Sequence, residues 1–204
     1  MPVATAQTAI TVADIGLSTL SIPIKGLTPL LPQKWTESAL EQMRAKQQKG
    51  KTAENRRSKD PVKDAHESTY WLGENEPGMP AGAFKSAMIS AVGLYKSLTK
   101  VGSKMMFGVE GQGPDNLVPI IDCAWEAREF QVRNATGVAD LRYFNVIMPW
   151  RAILVVTFPP ALIEASAVVS LVDAAGKFAG VGGYRPSAPK VSSGTYGRWE
   201  VERG

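Results

Sequence analysis

The chain has 204 residues, 44% hydrophobic and 21% charged, with a formal net charge of +4, one cysteine and one histidine. That length buries a core without staples, and the composition is that of a globular domain. One cysteine excludes an intramolecular disulfide, one histidine beside it excludes an imidazole–thiolate metal site, and no run of about 18 apolar residues exists to span a membrane.

Cys123 lies among Ile120, Ile121, Ala124 and Trp125 and reads as a buried structural thiol, which points to a reducing, cytoplasmic compartment. Met1 to Ala13 lacks the basic n-region and apolar h-region of a signal peptide. No hydrolase elbow, zinc-protease helix, Walker A loop or paired-carboxylate signature occurs, and His66 sits in a charged stretch that reads as solvated surface. Neither catalysis nor a cofactor nor a metal is expected. The sequence pI near 9.2 suits an anionic partner without proving one.

In chain order, residues 1–15 are small, polar and aperiodic and read as a flexible leader; 16–204 read as a single domain. Leu20, Ile22 and Ile24 alternate as in a half-buried strand, and Pro23 within it calls for a free edge or a bulge. Residues 33–69 form a basic, partly disordered insertion. It opens with Thr36 as the N-cap of a helix carrying Leu40 and Met43, then loses its apolar content. From Gln33 to Lys63 nine Lys and Arg face four Asp and Glu, an excess of five positive charges. Lys46, Lys49, Lys51, Arg56, Arg57 and Lys59 are either a solvated run or an arm that meets phosphates. Trp35, beside Lys34, is either a stacking residue or a staple for that helix.

Order resumes at Tyr70-Trp71-Leu72. Residues 79–98 have helical spacing at Phe84, Met88, Ala91, Val92 and Tyr95, with Pro80 in the first turn. Lys85 could bind phosphate with that helix N-terminus, or be solvated. Strands are expected at Met105–Val109, Leu117–Cys123 and Phe130–Asn134, while Ala139–Phe144 reads as a surface turn or a loop against a neighbouring copy. Ala152–Phe158 is a continuous apolar run and so a central strand. A second amphipathic helix spans 161–178, a glycine-rich loop follows, and Tyr196–Glu202 closes the chain as a strand. Without insertions the order is βαββαβ: an α+β, ferredoxin-like or RRM-like core with two helices on one face of an antiparallel sheet. The other face stays open, the face on which RNA-recognition domains stack bases.

The loop carries the clearest chemistry. Gly182 and Gly183 would let backbone N–H groups approach an anionic chain, Arg185 and Arg198 bracket the loop with guanidinium groups, and Tyr184, Tyr196 and Trp199 offer rings for stacking. Alternatively the rings fill the core and the glycines only turn corners. Two stretches, Gly180–Gly197 with its Gly-Val-Gly-Gly-Tyr-Arg-Pro start and Met79–Ala87, resemble the RAMP superfamily of CRISPR-associated proteins, its Cas7-like backbone subunits above all, and uncharacterised phage proteins of similar length. The resemblance implies a protein that coats single-stranded DNA or RNA without much sequence preference, as a head-to-tail homo-oligomer and with no membrane. No RAMP nuclease histidine arrangement maps onto the chain. The competing expectation is a phage structural or interaction protein, a virion component or a decoy of host CRISPR machinery, that keeps the fold without binding nucleic acid.

Overall fold

The computed structural model describes residues 15–37, 40, 41, 44, 60–133, 139–189 and 194–203. The leader up to residue 14, and Lys46, Lys49, Lys51, Arg56, Arg57 and Lys59 with it, lie outside the described residues. The elements are β1 (Ser18–Gly26), α1 (Pro61–Glu67), β2 (Tyr70–Gly73), β3 (Glu76–Pro80), α2 (Ala81–Ala91), α3 (Lys100–Met106), β4 (Gly108–Glu110), β5 (Leu117–Pro119), β6 (Trp125–Arg133), β7 (Ala139–Ile147), β8 (Arg151–Phe158), α4 (Ala165–Ala174) and β9 (Trp199–Val201).

Strand β1 forms because its side chains alternate: Leu20, Ile22 and Ile24 turn inward while Thr19, Ser21, Pro23 and Lys25 face out. It runs antiparallel to β8, from Ser18 opposite Phe158 to Lys25 opposite Arg151, and to β9 on its other side over Ile24–Gly26. Strand β4 pairs with the far side of β8, giving the order β4-β8-β1-β9, antiparallel throughout. With α2 between β1 and β4 and α4 between β8 and β9, this is the ferredoxin-like βαββαβ arrangement. Both helices cover the inward face, where Phe84, Met88, Val168, Leu171 and Val172 share one cluster with Ile22, Ile24, Leu154 and Val156.

Pro23 shows how the edge is handled. Its carbonyl accepts from the Glu202 N–H at 2.9 Å, so its ring nitrogen points along the line of β9 just where that strand ends. The free edge exists on that side alone, no bulge is needed, and β1 is a central strand. The apolar run of β8 is central too, but buried on one face only: Ala152, Leu154, Val156 and Phe158 are covered while Ile153 stays 51% exposed.

Local boundaries moved where tertiary pairing overrode helical periodicity. Met79 and Pro80 belong to β3, paired with Val118 and Leu117, so α2 starts at Ala81 and gives way to a 3₁₀ turn at Val92–Leu94. Residues 105–106, expected in a strand, end α3, whose N-cap Thr99 accepts from the Gly102 N–H at 3.1 Å. The second helix runs 165–174 and passes into a π turn, Ala175–Ala179. Ala139–Phe144 is strand rather than turn: β6 and β7 form a nine-pair ribbon from Trp125–Ile147 to Arg133–Ala139. One face of that ribbon meets α1, with Trp71 edge-on to Trp125 and the Asn145 amide donating to Thr69 Oγ1 at 3.0 Å. Cys123 is half-buried, and burial above all, then the charge of Asp122, pushes its thiol pKa up.

Strand β9 is held by Asp173 of α4. Oδ1 accepts from the Val201 N–H at 3.1 Å and Oδ2 from Lys177 Nζ at 2.7 Å. Burial alone raises this carboxyl, but those two hydrogen bonds and the charges of Lys177 and Arg203 outweigh it and hold the pKa below the ordinary 3.8. A depressed native pKa means the stabilisation is complete above that ordinary value and fades as pH falls through the native one. Asp173→Ala should cost about 1.5–3 kcal/mol, the range for hydrogen bonds to charged groups, and should flatten the acid limb of the stability–pH curve measured by denaturant titration. Among the described residues no helix is long and apolar enough to cross a membrane.

Candidate functional site

The glycine loop leaves the π turn at Gly180 and folds against residues 29–31. Val181 N–H donates to Gly197 O at 2.9 Å, Gly183 N–H to Leu31 O at 2.8 Å, Gly197 N–H to Pro29 O at 2.7 Å and Tyr196 N–H to Tyr184 O at 3.1 Å. These donors are spent inside the fold, so they do not form the open cradle that glycine content alone suggests. Gly182 is buried with φ +76°, and a Cβ there would overlap Leu31 O. Gly183 is buried against the Gln33 side chain.

Tyr184, at φ 52°, stacks on Phe130 of the β6–β7 ribbon with ring centroids 5.7 Å apart, and Tyr196 closes on both rings at 6.2 Å. With Leu31, Phe144 and Val146 they form a second, small core that ties ribbon to loop. Burial raises the Tyr184 phenol pKa. Tyr184→Ala is therefore expected to lower thermal stability by about 2 kcal/mol, below the 3–5 kcal/mol of a fully buried ring, as read from a melting curve. Trp199 is core: it is fully buried, edge-on to Phe84 at 5.5 Å, and its Nε1 finds no acceptor among the described residues.

The two arginines part company. Arg198 Nε donates to Lys177 O at 2.9 Å and its backbone N–H to Thr28 Oγ1 at 2.9 Å, closing the end of the π turn. Arg185 is half-buried, with Nη1 donating to Gly182 O at 2.9 Å and Nε to Ser187 Oγ at 3.1 Å. It lies on the wall of a shallow cleft of about 220 Å³. Met79, Ala83, Val181 and Gly182 make the apolar part of that cleft; Gln33, Tyr70, Ser86 and Arg185 make the polar part. Lys34 Nζ stands 6.0 Å from the centroid of the Tyr70 ring, and burial, then the charge of Asp115, pushes that phenol's pKa up. Lys85 is half-exposed, next along α2 to the lining Ser86.

Of the residues picked from sequence, the cleft thus gathers Gly182 and Arg185. It adds Gln33, Tyr70 and Ser86, whose positions become visible only once α2 packs beside the loop. The open face of the sheet presents Thr19, Ser21, Pro23 and Lys25 of β1 and Arg151, Ile153, Val155 and Thr157 of β8. No aromatic side chain stands on these two strands' outer face, and Arg151 is tied to Glu202 at 3.0 Å and Asp122 at 3.2 Å. The base-stacking sheet face expected by analogy with RNA-recognition domains is not present there.

No protein-family model matches the chain, and no curated protein matches it. A solved cryo-EM structure, described as the Type III-B Cmr-beta bound to cognate target RNA, contains a similar chain with a TM-score of 0.45 and 11% identity. That match covers 92% of this chain and 59% of the other, so this chain spans about three fifths of that chain's length.

Proposed function

We propose that the protein is a single-stranded nucleic-acid-binding module of the Cas7-like RAMP type, without catalytic activity, that multimerises head-to-tail along the strand. The observation that carries this reading is the fixed guanidinium of Arg185 on the cleft wall, with Lys34 nearby and Lys85 on the adjoining helix α2. A guanidinium held by two bonds within its own loop still has three of its five donors for phosphate oxygens. The stretch from Gln33 to Lys63 carries an excess of five positive charges, and within it Asp60 caps α1 by accepting from the Val62 and Lys63 N–H groups. These charged groups would engage the strand's backbone, in keeping with the absence of rings on the outer faces of β1 and β8. Fluorescence anisotropy with labelled DNA and RNA oligonucleotides across a salt series tests it; binding that is undetectable even at low salt would end the proposal.

A second reading keeps the fold as a structural or interaction protein. Leu94, Val101 and Met105 favour it, being 58%, 71% and 82% exposed with Lys96, Lys100 and Lys104 between them. Sedimentation of the protein without nucleic acid separates the two, since this reading needs self-assembly or a protein partner in the absence of a strand.

A further inference from the structure

We infer that the cleft between α2 and the glycine loop takes up a single unstacked nucleobase, an inference that rests on the nucleic-acid reading. Its volume of about 220 Å³ is below the roughly 300–1,000 Å³ of pockets for drug-sized ligands. That is room for one planar heteroaromatic ring, not for an extended ligand.

The walls divide as a base does. Half-buried Ala83 gives apolar contact for a ring face, with Met79 and Val181 buried behind it. Gln33 offers an amide with both donors and an acceptor, and Arg185 offers donors only. Ser86 Oγ donates to Gly82 O at 2.8 Å, which leaves the hydroxyl oxygen as an acceptor. Arg185 is already fixed by Gly182 and Ser187, so little side-chain freedom is lost when a ligand enters. A phosphate would use the guanidinium and leave the apolar wall uncovered; a base uses both.

The test compares two strands of equal length, one ordinary and one abasic throughout, by anisotropy with the full chain. The ordinary strand should bind about tenfold more tightly, as one base desolvated against protein implies. Ala83→Leu, which fills the cleft without removing a hydrogen bond, and Gly183→Ala, whose Cβ pushes Gln33 aside, should each bring the ordinary strand down to the abasic affinity. Circular dichroism checks each fold, and either variant suffices if the other fails to fold. Equal affinity of the native protein for both strands, or a preference that survives in a folded variant, overturns the inference and leaves the nucleic-acid reading standing. Absence of binding to either strand overturns both.

Discussion

Gly182→Val is expected to destabilise the whole fold, before any effect on ligand binding can be read. The position has φ +76°, where an L-residue costs about 1–2 kcal/mol, and its Cβ overlaps Leu31 O, a backbone atom that cannot move aside. Overpacking adds about 1–3 kcal/mol. Gly197→Val meets the same pair of penalties, with φ +65° and a Cβ overlapping Val181 O. At about 2–4 °C per kcal/mol for a chain this size, each should lower Tm by roughly 10 °C. A melt unchanged for either variant would mean that the loop is not packed as described. The glycines serve the junction of the loop with residues 29–31, and their cost falls on stability.

The second large effect concerns charge. Replacing Lys46, Lys49, Lys51, Arg56, Arg57 and Lys59 together with alanine should flatten the plot of log K against log[salt]. At about −0.7 per phosphate contact on a single strand, six lost contacts remove roughly four units of slope and most of the affinity at low salt. Arg185→Ala should add about 1.5–3 kcal/mol of lost binding, the range for a hydrogen bond to a charged group. A melting curve of the six-fold variant, taken in parallel, separates lost binding from lost folding. An unchanged slope would return the segment to the status of a solvated run and shift weight to the interaction-protein reading.

What was legible in the sequence followed periodicity. Leu20, Ile22 and Ile24 announced β1 by period two, and Phe84 and Met88 announced α2, because each element buries one face in a single large core. The βαββαβ order was legible for the same reason. Of the β6–β7 ribbon only the second half of β6 was expected, as a strand at Phe130–Asn134; its start at Trp125 and the whole of β7 were not. Trp125–Arg133 reads Trp-Glu-Ala-Arg-Glu-Phe-Gln-Val-Arg, with charges on both faces, since beyond Trp125, which reaches the main core, the strand meets only a small cluster and α1. Strand β3, Glu-Pro-Gly-Met-Pro, was hidden because prolines and a glycine occupy it, and only pairing with β2 and β5 makes it a strand. At the site, Arg185 stood out as a charge beside glycines. Gln33, Tyr70 and Ser86 have no shared motif; they meet because the segment after Leu31, β2, α2 and the loop converge. The reading of the glycines themselves needed the partners of their N–H groups, which no sequence pattern displays.

The position of β1 in the middle of the sheet has a consequence for synthesis. Its partners are β8 and β9, and 124 residues separate Gly26 from Arg151. At about 5–20 residues per second, a nascent chain holds β1 without a neighbour for roughly 6–25 s. During that interval Ile22 and Ile24, and then Phe84 and Met88 of α2, have emerged with nothing to cover them. Sheet closure must wait for the second half of the chain, and completion for Trp199. Yield in the cell should therefore depend on translation speed and on holding chaperones more than the native stability alone would suggest, and a stalled chain ending before Arg151 should be protease-sensitive from β1 onward.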